Sequence, residues 1–362
     1  MTRPRHPRSL LDATLPLVPR PPVGLPRIDL PHIGLPHVAL PTPNSVVAHI
    51  LPHGIPPLRN ELLERTGMFA STLDPDASPG DPGLFGPGSA TWEVVGQPAQ
   101  ALAGLRAALL QTLSVPIPTA TDSTGKFYED FLGRVGRTGA YVQAQNLGSM
   151  DEVFRSARRV RAMHRVVKGH GADGTPFDAT DPHQTAWVSM TLTESFLVMT
   201  RRFGRGSLPR ARADEFVREQ STHAALLDHR VDLDAVFADP DQRAALRAGT
   251  LPLPLIDEGE LPTSMAQLRE RLDAWTPELS VCRRVSFQLE GLDERARNLG
   301  RPFMLATLST MRDAWHDLVA PGSNRLVERL AAEAVQYPLA MVQGVIGELP
   351  VVDAARRRVA AG

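Results

Sequence analysis

Cysteine is nearly missing from this chain of 362 residues: Cys282 stands alone. That excludes an intramolecular disulfide and any cysteine-built zinc or iron–sulfur site within one chain, and it fits a reducing compartment. An excess of one charge is also lacking, with 39 basic against 40 acidic residues. No global field exists to recruit nucleic acid or an anionic membrane surface, so neither is an expected partner. No apolar run approaches the roughly 20 residues that span a bilayer, and no transmembrane segment is expected. The start, MTRPRHPRSLLDATLPLVPRPPVG, sets basic residues before a short apolar stretch, but Asp12 and several prolines interrupt any export-signal core. It reads as uncleaved and cytoplasmic. Strand-like alternation is nearly absent, and no serine-hydrolase elbow, phosphate-binding glycine loop or dinucleotide fingerprint occurs in a strand–turn–helix context.

Proline, by contrast, is abundant at one end. Between Leu15 and Pro41 it recurs every five residues, at Pro16, Pro21, Pro26, Pro31, Pro36 and Pro41, with a β-branched residue at Val18, Val23, Ile28, Ile33 and Val38. Prolines this frequent lack amide donors and break any helix, so residues 1–60 read as an extended or disordered arm. The arm could serve as a docking segment for a second copy or a protein partner. Its His32 and His37 have no fixed separation and are poor metal ligands. A loop-rich linker covers 61–91, and the pattern then turns helical over 92–350, with a short tail at 351–362. In QALAGLRAALLQTL, Leu102, Leu105, Leu109 and Leu113 mark a buried face, while Ala103, Gly104, Ala107 and Ala108 would allow close helix approach. Long periodic helices between short Pro/Gly breaks predict an all-α fold: one large helical domain behind the arm.

Within DEVFRSARRVRAMHRVVKG both helix ends are marked. Ser149 with Glu152 forms a capping-box signature, Asp151 adds charge to the first turn, and Gly169 follows Lys168 as a stop. Val153, Ala157, Val160, His164 and Val167, spaced four, three, four and three, share one column, with the arginines mostly off it. The pattern therefore points His164 at the core. A buried imidazole there is either a core histidine bonded to a carbonyl or a ligand to a metal or haem, and periodicity does not choose.

Four motifs in order, GRVGRT (Gly133 to Thr138), NLGSMDE, ARRVRAMHRVVKG and DGTPFDATDPHQTAWV, resemble those of the all-α haem b oxygenase family. That family includes the latex clearing protein, a rubber oxygenase, and the fungal oxygenase that cleaves a prenyl side chain in mycophenolic acid synthesis. The resemblance runs from about Trp92 to Tyr337. It implies a haem b iron held by His164, with Arg134 and Thr138 near the haem, the arginine able to pair with a propionate and the threonine to donate a hydrogen bond. Arg137 lies where rubber-cleaving members have lysine, keeping charge but not shape. Two departures stand out. Ser189 replaces the histidine that many members carry in WVH, and the loop SVPIPTATDSTGKFYED offers only Glu129 and Asp130 near its end for the base of rubber oxygenases, which weighs against polyisoprene as substrate.

Glu194 shares a helical column with Trp187, Met190, Thr191, Leu197 and Val198. It is either a desolvated proton donor or acceptor, with a raised pKa, or a structural partner of an arginine. Asp173, Asp178 and Asp181 lack a calcium-loop register. His170 and His183 could join His164 in a non-haem metal site, the competing reading. Together these readings lead to a haem b-dependent oxygenase acting with dioxygen or peroxide on a hydrophobic small molecule, an isoprenoid or natural-product intermediate, with an open face opposite His164. A non-catalytic scaffold working through the arm is the alternative from another class.

Overall fold

A computed structural model describes residues 42–66, 70–124, 131–171, 174–277 and 294–362. The five-residue proline repeat lies outside these residues. In the described residues the chain is all-α, with one two-stranded ribbon. Helices α1 (Pro43–Ile50) and α2 (Pro56–Thr66) precede α3 (Ala90–Val95), α4 (Gln100–Gln111), α5 (Pro116–Thr124), α6 (Phe131–Leu147) and α7 (Met150–His164). The antiparallel strands β1 (Lys168–His170) and β2 (Pro176–Asp178) follow, with Gly169 opposite Phe177. Next come α8 (Pro182–Phe203), α9 (Arg210–Ala225), α10 (Leu233–Ala238), α11 (Pro240–Ala248), α12 (Pro254–Asp257) and α13 (Met265–Ala274). The chain closes with α14 (Glu294–Leu308), α15 (Asp313–Val319), α16 (Arg325–Ile346) and α17 (Pro350–Ala360).

Several boundaries differ from the sequence reading. Residues 43–50 and 56–66 are helical rather than extended or loop-rich, because their prolines, Pro43, Pro56 and Pro57, stand in the first turn, where a missing N–H costs nothing. Residues 351–360 are not a tail: Val351, Val352, Ala354 and Ala355 of α17 are buried. Against the expectation of no membrane-spanning run, the helical stretch Arg325–Ala360 is long and apolar enough to cross a bilayer by length and composition, although half of its apolar window is buried. On α16 the large apolar residues Leu326, Leu330, Tyr337 and Met341 are exposed.

The core centres on α4 packed along α8. Leu102, Ala103, Ala107, Leu109 and Leu113 are buried as their spacing predicts, but Gly104 faces open space, so the two alanines alone permit the close approach. Arg106 of α4 is fully buried and crosses to α8, where it pairs with Glu194 and donates to Ser195 Oγ at 2.9 Å.

The turn between α6 and α7 is anchored from distant parts of the chain. Ser149 accepts from Glu152 N while Glu152 Oε2 accepts from Ser149 N at 2.7 Å, completing the capping box. Asp81 Oδ2 takes the next helical amide, Met150 N, at 2.6 Å. Arg358 of α17, fully buried, donates to Leu147 O at 2.8 Å and Asp81 O at 2.9 Å and lies 3.5 Å from Glu152. Gly83, at φ +75°, presses so closely on the Gly148 carbonyl that no side chain fits. Replacing Arg358 by alanine takes the guanidinium from two carbonyls in the interior and leaves the Glu152 carboxylate with backbone amides alone. Chemical denaturation should show a loss of about 3 kcal/mol, whereas alanine at exposed Arg357 should change stability by less than about 0.5 kcal/mol.

His223 of α9 sits in the core with Nε2 at 3.0 Å from Gln220 Oε1 and Nδ1 unpaired. Burial pushes its pKa down to about 4. The folded state therefore binds fewer protons than the unfolded one between pH 6.5 and about 4, and stability falls as the pH drops through that window. Glu219, pushed up to about 7 by burial, works in the opposite sense, its contribution fading as the pH rises. Urea melts at several pH values should show His223→Gln, which keeps Glu219, losing roughly 3 kcal/mol less than wild type from pH 6.5 to 4.

Candidate functional site

Helices α6 and α7 form a hairpin with a closed end and an open end. Residues Arg134, Thr138, Tyr141 and Gln145 of α6, spaced four, three and four, share one face. Gln145 shows which way that face looks: its Nε2 donates to Val153 O at 2.8 Å and to Ser156 Oγ at 2.7 Å, both on α7. On α7 the facing column continues through Val160 to His164. Burial along α6 is complete at Gln145–Leu147 and gives way to exposure at Arg134–Thr138. Helix α6 thus leaves the protein body toward the end of the hairpin where α7 presents His164.

His164 is not followed by a further helical turn to Gly169, as the column through Val167 implies, but is the last residue of its helix, half-buried. The chain turns at Arg165 rather than at Gly169, since Val167 O is needed to accept Ala179 N at 2.9 Å as the ribbon forms. One arginine expected on the solvated flank is buried instead: Arg161, whose Nη1 donates to Val231 O at 2.9 Å. The His164 ring makes no hydrogen bond among the described residues. Its pKa is lowered, first by burial and then by His229, so the neutral ring with a free lone pair prevails at pH 7. Around this end of the hairpin Val135, Met163 and Val166 expose more than half of their surface. Arg134, exposed on its outer side, is crowded enough that desolvation, and then Arg137, lower its pKa. Arg137 and Thr138 are exposed on the same stretch.

The other candidates separate from this place. Glu194 is shared by Arg106 and by Arg312, whose Nε is 3.7 Å away, which makes it the structural partner of arginines rather than a lone desolvated acid. His183 lies 3.4 Å from Glu260 and stacks on Trp275 at 5.0 Å between ring centres, and His170 is exposed on β1. Neither completes a triad with His164, and among the described residues no group of three or more His, Cys, Asp or Glu side chains could hold a metal ion. Ser189 is half-buried on α8. Glu129 and Asp130 lie outside the described residues.

A family model described as ER-bound oxygenase mpaB/B'/Rubber oxygenase, catalytic domain, matches residues 92–340. The chain belongs to this family. The match runs from α3 into α16 and contains the whole α6–α7 hairpin. No curated protein and no solved structure matches the chain. Membership makes the protein an oxygenase by family and accords with a hydrophobic substrate.

Two polar groups at the mpaB/rubber-oxygenase hairpin escaped the sequence reading. Tyr141 has a buried hydroxyl without a partner and a pKa raised by burial. Its place one turn after Thr138 was legible, but nothing in the sequence marks an unpaired atom. His229, in the loop between α9 and α10, is brought to His164 by tertiary contacts alone. Because the Tyr141 hydroxyl is unpaired, Tyr141→Phe should stabilise protein that carries no bound group by about 1 kcal/mol in thermal or urea unfolding. A loss of that size would show that the hydroxyl has a partner in solution.

Proposed function

We propose that this oxygenase is haem b-dependent, with His164 as the protein ligand to iron, and acts on a hydrophobic small molecule of isoprenoid or natural-product type. The observation that carries the proposal is the His164 ring: a neutral, unbonded imidazole at the open end of a helix hairpin, beside exposed valine and methionine side chains. Its donor chemistry fits haem iron, which needs one imidazole and an apolar, partly desolvated surround. It does not fit a non-haem iron site, which needs three converging ligands. When bound, haem supplies the activation of dioxygen or peroxide.

The remaining work falls to the chain's own residues. Arg134 and Arg137 place positive charge on the exposed face of α6 and are suited to hold the carboxylates of the bound group. Thr138, on the same face as Arg134, offers a hydroxyl at the exposed end of α6. Tyr141, deeper in the hairpin and held protonated by burial, offers a donor but no base. Ser189 has no basic nitrogen, and Glu194 is committed to two arginines. Proton transfer therefore does not depend on a side chain at either place, and holding and orienting the bound group is the protein's main contribution.

The ultraviolet–visible spectrum of freshly purified protein, oxidised, reduced with dithionite and exposed to carbon monoxide, tests the proposal. A Soret band that shifts on reduction and on adding carbon monoxide is expected, and His164→Ala should lose stoichiometric haem. Colourless wild-type protein that takes up no haem, or a His164→Ala variant with an unchanged spectrum, would overturn it.

A further inference from the structure

Among the described residues the broadest exposed apolar surface runs along α16. Leu326, Leu330, Tyr337 and Met341 are 61 to 73 % exposed, and Ala334 between them is exposed as well. At 3.6 residues per turn these five side chains fall within one narrow stripe. The surface continues past Met341 onto the first helix of the described chain. There Gly344 lies against Val47 and Leu51, Ile55 N donates to Val345 O at 2.9 Å, and Val46 and Ile50 are exposed. The combined apolar area is on the order of 700 Å², above the roughly 300–600 Å² of the largest patch on an ordinary monomer and close to the roughly 800 Å² per partner that a stable association buries.

The spacing of the stripe points to its occupant. Leu330 and Tyr337 lie equally far from the midpoint between Glu333 and Ala334, and so do Leu326 and Met341. The stripe therefore reads the same in both directions. A two-fold axis through that midpoint sets Leu330 on Tyr337 of the partner subunit and Leu326 on Met341 of the partner subunit. The small Ala334 then falls at the crossing, where the two helices come closest. Successive layers also recur at about 3.5 residues, the period that keeps an apolar seam facing a partner helix. An isologous contact needs such a self-complementary patch, whereas a lipid surface or an unrelated protein does not. Charge favours the same occupant. Glu333, which would lie beside its own copy near the axis, is already answered by Arg202. At the start of the helix Asp313, fully exposed, pairs with Arg325 at 2.6 Å, and Asp317 is exposed too. Carboxylates on this border are repelled by anionic lipid. We propose that the exposed face of α16 is the interface of a two-fold homodimer, in which two copies of the helix pack antiparallel about the Glu333–Ala334 midpoint. The proposal goes beyond the oxygenase reading and does not depend on haem.

Sedimentation velocity of the full-length chain between about 1 and 100 μM should show a concentration-dependent dimer. Leu330→Glu, at an exposed position, should keep the helical circular-dichroism signal and weaken the dimer at least about 100-fold, because two unpaired carboxylates are then buried per dimer. Leu330→Glu combined with Tyr337→Lys should restore the dimer: the two positions face each other across the axis, but stand two turns apart within one helix. Arg357→Ala, an equal change of charge at an exposed position of α17, should leave the dimer unchanged. In a Cys282→Ser background, Ala334→Cys should oxidise to a covalent dimer. A chain that is monomeric over this range, or a dimer that Leu330→Glu leaves intact, would overturn the proposal. So would a monomer that floats with phosphatidylcholine vesicles and is released by the same substitution, which assigns the face to lipid. Failure of the paired substitutions to restore association would overturn the antiparallel register.

Discussion

One buried guanidinium holds the candidate site together from its far end. Arg358, on the last helix, joins the carbonyls of Asp81 and Leu147 and lies beside Glu152, the capping residue of α7. A charge removed from water is tolerated only when nearly every donor is satisfied, and such a group then admits few alternative geometries. The α6–α7 turn is accordingly fixed at one end by residues from two distant stretches of chain, Asp81–Gly83 and Arg358. The candidate site lies at the other end, where the hairpin opens and burial falls away.

This division of labour explains why a few polar atoms near the open end lack partners while those of the turn are paired. Ser149, Glu152, Asp81 and Arg358 close a network in which each member answers another. Tyr141 Oη and His229 Nε2 do not. Unpaired polar atoms in a closed core are simply destabilising. In the haem reading proposed above, those at the mouth of the hairpin are where a bound group would complete the pairing. The buried Arg106–Glu194 pair, which ties α4 to α8, belongs with the scaffold, and so an acid that looks catalytic by its column is a brace.

The sequence made the helices legible because capping and periodicity are local. Ser149 and Glu152 announce the start of α7, and Val153 and Ala157 are buried as their spacing requires. Its end was misplaced because the ribbon, not the helix, claims the residues after Arg165. The arm read from the proline repeat reaches to residue 60, but Pro43, Pro56 and Pro57 open helices, where a missing amide costs nothing. The four ordered motifs made the family recognisable, and the family match over 92–340 agrees with them.

What the amino-acid order alone determined is the helical class, the cap of α7 and the shared face of Arg134, Thr138 and His164's column, since each depends on neighbours within a turn or two. Only the tertiary structure decided that His164 ends its helix at an open mouth, that Glu194 answers two arginines, and that His229 stands against the same turn. These depend on contacts between residues tens to hundreds of positions apart, whose pairing no local spacing encodes.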